Sequence, residues 1–296
     1  MVLSVLLKIF DIIKLNGLSF IVSKIFGLLL TVCVVYLNFV SLYVLISLLA
    51  PLFGFKNHIN YILYAAIGCF IFILFAKTSM PLMIKKQIFT RRLSQREFEY
   101  IKPIFDEVYN KAQANGFKKC KIDIRVMVGD AGNRINAYAL GVNTLLLTGA
   151  FIRNVDIESM KGVIAHELGH LYNGDSKKRM FLYTMNCLTL VVFYIALLID
   201  MVNQIMRHIP FVNFVAGFVS LFIFATMYLI NKYKYVINYF LLCVGKNEEY
   251  RADKYAKNIG DGNGLIKYLD TYAFKEINNF FVTHPHTEFR IEALLK

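Results

Sequence analysis

Four stretches of the chain carry no Asp, Glu, Lys or Arg: residues 25–50, 61–76, 181–199 and 210–230. At about 1.5 Å of rise per residue, a helix over the first crosses a ~30 Å hydrocarbon core with some tilt. The second is shorter and fills a bilayer only with Asn60 on one side or Lys77 snorkelling on the other. Asp200, Arg207 and His208 lie between the third and fourth and suit an aqueous turn. The pattern predicts four transmembrane helices arranged as two hairpins. The first run is too long for the apolar part of a signal peptide and no small-residue cleavage signature follows it, so it is expected to stay attached.

Outside these runs the periodicity changes. Phe98, Ile101, Ile104, Phe105 and Val108 recur at helical spacing within residues 94–114, and Asn115-Gly116 supplies a stop. Ile122, Ile124, Val126 and Val128 then alternate with polar neighbours, which predicts a strand. Residues 135–140 and 144–147 read as an antiparallel pair joined through Gly141-Val142-Asn143, giving a small mixed sheet. Asp156 is an N-cap for a helix with Ile157, Met160, Val163, Ile164 and Leu168 on its apolar face, ending near Asn173-Gly174. Neither polar stretch is expected to bury a sufficient core alone, so the two should pack as one domain interrupted by the second hairpin.

Composition strengthens the membrane reading: 57% of the 296 residues are hydrophobic, only 18% are charged and the mean hydropathy is +0.52, whereas soluble domains are nearer half apolar. Of the 33 Lys and Arg, only Lys56 and Arg207 fall in the short loops within the hairpins, leaving 33 − 2 = 31 elsewhere. By the positive-inside rule, both termini and the polar domain face the cytoplasm. The net charge of +13 is then a topology signal and an attraction to anionic lipid heads, and no basic stripe joins a nucleic-acid-binding motif. The five cysteines show no CxxC pairing, as expected of small buried hydrophobes in a reducing compartment.

His166-Glu167-Leu168-Gly169-His170 puts two imidazoles four residues apart, on one face of a helix and close enough for a single Zn²⁺ to bridge. Glu167 beside them is positioned to take a proton from a water that the ion makes acidic, generating a nucleophile for a peptide carbonyl. The bland alternative is a helix with two structural histidines, so a third ligand is needed to decide. Glu249 is the best candidate, because Asp253 sits one helical turn further on the same face and can hold the free ring N–H of a ligating histidine; the alternative is a charged, solvated helix with ion pairs among Glu248, Arg251 and Asp253. Glu248, about 100° away around the helix, is expected to be a surface residue.

The residues also resemble a known family, the HtpX-like membrane metalloproteases, which are related to the type 1 CAAX prenyl proteases. Asn136-Ala137-Tyr138-Ala139-Leu140-Gly141 is similar to the family's NAFATG-type segment, and HELGHLYNGD over 166–175 to its HExxHxxNGD helix. EYRAD over 249–253 resembles its REFxAD helix, and His284-Pro285-His286 with Arg290-Ile291-Glu292-Ala293-Leu294 its terminal HPP…RIEAL box. The resemblance covers about the last two thirds of the chain, with motifs in the family's order. His286 stands where the family has a second proline, Glu248 where it has a basic residue, and the outer loops are too short for a sensing domain.

The resemblance implies a zinc-dependent endopeptidase of the bacterial inner membrane, active on the cytoplasmic side in the quality control of membrane or misfolded proteins under stress. Alternatives are a regulatory or prenyl-protein-type protease, or a catalytically idle zinc-containing receptor or scaffold. The expected fold is mainly α, with the four spans and a zincin-like α+β domain. Residues 1–76 hold the N-terminal segment and first hairpin, 77–180 the HExxH part, 181–230 the second hairpin and 231–296 the third ligand. His166, His170 and Glu249 are the expected ligands of one Zn²⁺ and Glu167 the base. Asp253, His284 and Arg290 would support the metal or the transition state. Asn136, Ala137, Tyr138 and Ala139 would form a substrate-binding edge strand. Protein substrates and the bilayer are the expected partners.

Overall fold

The computed structural model describes residues 19–50, 58–86, 90–128, 134–206, 245–272 and 285–296, together with positions 54, 132, 209, 217, 218, 220, 221, 224, 225, 228 and 232. Two compact units emerge. One comprises Ile21–Thr78 and Phe181–Leu241; the other comprises Met1–Phe20, Ser79–Met180 and Leu242–Lys296. In the first unit, α1 (Ser19–Leu49) and α2 (His58–Lys86) carry the first two apolar runs, and large side chains such as Leu28, Tyr36, Phe70 and Ile71 are exposed on them. Among the described residues no helix is long and apolar enough to cross a membrane. Most of the 210–230 run lies outside the described residues.

In the second unit, β1 (Thr90–Arg92) leads into α3 (Gln95–Ala114). Ser94 and Glu97 form a reciprocal capping box at its start, satisfying amides that helix geometry leaves unpaired. The positive-φ Gly116 follows its end, a left-handed conformation that glycine adopts without Cβ strain. Ile101, Ile104, Phe105 and Val108 face the core, while Phe98 stays exposed.

The sheet contains β1, β2 (Asp123–Met127), β3 (Ala137–Leu140) and β4 (Thr144–Thr148) in the order β1-β2-β4-β3. β3 and β4 form the expected antiparallel hairpin, with Ala139 opposite Leu145, and β4 runs parallel to β2. The continuous burial of Thr-Leu-Leu-Leu-Thr in β4 suits a central strand covered on both faces. β3 is left at one edge of the sheet.

α4 (Gly149–Asn154) leads to α5 (Ile157–Asn173), capped by Asp156, which accepts from the Ser159 N–H, and ended by the left-handed Gly174. Met160, Val163, Ile164 and Leu168 are buried, whereas Ile157 in the first turn is half exposed. α6 (Asp175–Met206) begins immediately afterwards. The chain is helical again over 245–258, here α7, then forms α8 (Gly262–Thr271) and α9 (Thr287–Leu295).

Glycines let the helices close around α5. A Cβ on Gly162 would collide with the backbone of Gly264 and Leu265, and one on Gly264 with the Glu158 carbonyl. Gly169, inside the HELGH segment, lies against Ala252 of α7, where a Cβ would come within 3.0 Å of its Cα. Backbones packed so closely cannot absorb a methyl group by rotamer change alone. Gly162→Ala is expected to destabilise the fold by about 2–3 kcal/mol and lower Tm by roughly 5–10 °C. An unchanged thermal transition of the detergent-solubilised variant would show that α5 and α8 part at no cost.

Candidate metal centre

His166, Glu167 and His170 are all buried on α5, and the two imidazoles meet edge to face with centroids 4.7 Å apart. α7 brings Glu249, 1% exposed, against them. Its Oε2 lies 3.4 Å from His166 Nε2 and its Oε1 3.4 Å from His170 Nε2. One donor atom from each of the three residues falls within a 4.8 Å group. Tetrahedral ligands held about 2.0–2.1 Å from a zinc ion stand about 3.3 Å apart, so two imidazoles and a carboxylate at this spacing fit such an ion with one position open.

Each imidazole is fixed from behind. His166 Nδ1 is 2.8 Å from Asp253 Oδ1, and Arg290 grips that carboxylate at both oxygens, Nε to Oδ2 at 2.8 Å and Nη2 to Oδ1 at 2.6 Å. His170 Nδ1 lies 3.4 Å from Asp175 Oδ2, and Arg251 donates to Asp175 Oδ1 at 2.7 Å. Two arginine–aspartate pairs thus aim the two Nε2 atoms at one point, with ring tautomers set by the carboxylates. Burial opposes charging of His166, but hydrogen bonds to Asp253 and Glu249 outweigh it and raise its pKa. For His170, burial is likewise overcome by Asp175 and Glu249, and its pKa is pushed up to about 10. Protons therefore compete with a cation for these nitrogens. Burial favours the neutral form of Asp253, yet the Arg290 guanidinium holds its carboxyl below the usual range.

Glu167 connects this cluster to the sheet. Its Oε2 accepts from the Ala139 N–H at 2.6 Å. The Thr148 amide donates to the Asn136 carbonyl, so by antiparallel alternation the backbone groups of Ala137 and Ala139 point away from β4 toward the edge. Both outward amides are held: Ala139 by Glu167, and Ala137 by Asn136 Oδ1 at 2.8 Å. Asn136 Nδ2 in turn donates to the Tyr138 hydroxyl. The β3 edge is thus capped at both of these donors, with the carbonyls of the same two residues directed outward.

The structure brings Asp253 and Arg290 together behind His166; His284 lies outside the described residues. Glu248 requires a correction. It is 1% exposed rather than a surface residue, and its carboxylate accepts from Arg179 Nε at 2.7 Å and lies 3.5 Å from Lys178 Nζ. Its ionic partners lie on α6, an element that a helical wheel of α7 alone does not include. Asp175 and Arg251 were also missed, although both lie inside the quoted motifs. Asp175 follows the left-handed Gly174, beyond the reach of a helix-face argument.

Metal-dependent peptide hydrolysis combines a polarising cation with a proton acceptor, and the His166–His170–Glu249 donor set with Glu167 beside it on α5 offers residues for both. The class so defined is a metallopeptidase. Residues 95–296, more than half of the chain, match the model of peptidase family M48, and the chain belongs to that family as an HtpX-like member. The Protease HtpX homolog of Bacteroides fragilis strain YCH46 is 35% identical over 125 residues, covering 41% of this chain but only 35% of that relative. Protease HtpX of Cellvibrio japonicus is 23% identical over 267 residues, 78% of this chain and 82% of the relative. The crystal structure of S. mikatae Ste24p shares the fold at a TM-score of 0.51 and 16% identity, over 86% of this chain and 61% of that one.

Proposed function

We propose that this chain is a zinc-dependent endopeptidase of the bacterial cytoplasmic membrane that cuts membrane or misfolded proteins on the cytoplasmic side. The observation carrying the reading is the convergence of His166 Nε2, His170 Nε2 and the Glu249 carboxylate beside a carboxylate, Glu167, hydrogen-bonded to the sheet edge. Those three side chains would hold the ion, which when bound supplies Lewis acidity toward the scissile carbonyl and toward water. Glu167, held at Oε2 by Ala139, keeps Oε1 to take a proton from the attacking water and deliver it to the leaving amine nitrogen. The outward carbonyls of Ala137 and Ala139 accept substrate amides regardless of side-chain identity, which suits broad specificity.

Membrane placement rests on the four uncharged runs and on the apolar side chains exposed along α1 and α2. It also rests on the 33 − 2 = 31 basic residues outside the loops of Lys56 and Arg207. Reporter fusions after Met180 and Lys296 should be active in the form that requires the cytoplasm; activity of the exported reporter alone would reverse the topology.

The direct test of chemistry is zinc content and cleavage of an unfolded model protein by the purified full chain, with and without chelator. One zinc per chain and chelator-sensitive, zinc-restored cleavage are expected. A metal-loaded chain that cuts nothing would favour a scaffold.

A further inference from the structure

Glu248 is a buried carboxylate without a role in the chemistry above, and it lies next to a metal-ligand candidate. Its principal partner, Arg179, comes from the first turns of α6 and bridges two neighbouring acids: Nε donates to Glu248 Oε2 at 2.7 Å and Nη2 to Glu249 Oε1 at 3.3 Å. The opposite oxygen of the same carboxylate, Glu249 Oε2, has Arg290 Nη1 at 3.6 Å. The Glu249 carboxylate is therefore flanked by a guanidinium at each oxygen. Arg290 is already tied to Asp253 by two hydrogen bonds. Arg179 has an equivalent anchor only in Glu248, which is 1% exposed while the Arg179 side chain is 44% exposed.

We propose that Arg179 is a positioning residue for the metal ligand: Glu248 fixes the guanidinium, and the guanidinium fixes the plane of the Glu249 carboxylate so that it faces both imidazoles. A glutamate has rotatable bonds to spare, and an unrestrained carboxylate would have to be ordered each time a cation bound. A planar, multiply donating guanidinium can hold two carboxylates at once, which a lysine ammonium, a compact point charge, cannot reproduce in the same geometry. The pairing also gives the buried Glu248 a structural reason: without it, Arg179 would be free to turn toward solvent. The inference rests on the reading of His166, His170 and Glu249 as the metal ligands.

The test separates ligand positioning from simple charge pairing. Arg179→Lys should keep an ion pair with Glu248, and the metal-free variant should melt close to the parent. The double variant Arg179→Met/Glu248→Leu removes both charges together, leaving no buried ion stranded and little net change in the field at the site. Zinc dissociation constants are read by competition with a chromogenic chelator, alongside Tm of the metal-free proteins and the split between kcat and KM. Both variants are expected to bind zinc roughly 10–100-fold more weakly. Arg179→Lys should retain the metal-free Tm, and saturating zinc should recover much of kcat without a large change in KM. Parental zinc affinity in both variants would overturn the positioning role. If affinity falls only in step with Tm, Arg179 supports the fold rather than the ligand. A parent chain that binds no zinc would instead defeat the metal-site reading itself.

Discussion

Glu167→Gln is expected to retain its full complement of zinc and to lose peptidase activity by roughly 10²–10⁴-fold. The amide keeps an oxygen that can accept from the Ala139 N–H, so the link between α5 and the sheet edge survives. It cannot take up a proton, and that is the function lost. His166 and His170 retain Asp253 and Asp175 behind them, because neither carboxylate contacts Glu167 in the supporting pairs. Metal analysis and cleavage rates on the same preparation check the result. Near-parental turnover would remove Glu167 from the chemistry, and loss of zinc would make it a structural group.

Glu249→Ala should lose both the ion and activity, since it removes one of three converging donors and leaves two imidazoles with a vacant side. Asp253→Ala is expected to weaken zinc by roughly 10–100-fold, because His166 loses its orienting partner and the buried Arg290 loses both of its hydrogen bonds to that carboxylate. The helical-wheel argument made Glu248→Ala silent. Burial against Arg179 changes that expectation: the variant should melt lower than the parent, yet hold zinc better than either of the other two. Zinc content by elemental mass spectrometry, paired with thermal unfolding, ranks the three. If Glu248→Ala loses the ion while Glu249→Ala keeps it, α7 is rotated from the arrangement described.

Local sequence patterns were informative where one element was sufficient. The helix over residues 94–114, the β3–β4 hairpin, the Asp156–Gly174 limits of α5 and the i, i+4 relation of Glu249 to Asp253 each follow from short-range periodicity or backbone preference. What escaped depends on pairing between distant segments. β4 inserts between β2 and β3, an order that alternation cannot encode, and β1 has only three residues. Glu248 with Arg179 is a contact across 69 positions, and Asp175 with Arg251 one across 76. Ion pairs of this kind have no period to detect. The positions of His166 and Glu249, by contrast, were constrained twice, once by helix geometry and once by the donor set a cation requires.

The interruption of the peptidase unit by another unit has a temporal consequence. His166 and His170 are synthesised before the chain reaches Phe181–Leu241, whereas Glu249, Asp253 and Arg290 come after it. The interval from His170 to Arg290 is 290 − 170 = 120 residues, or about 6–24 s at ordinary elongation rates of roughly 5–20 residues per second. For the first 249 − 170 = 79 residues of that interval the nascent chain has His166, Glu167 and His170 without Glu249, and Arg290 joins them only at its end. Chain order thus completes the His166–His170–Glu249 cluster only after the whole intervening unit has been made.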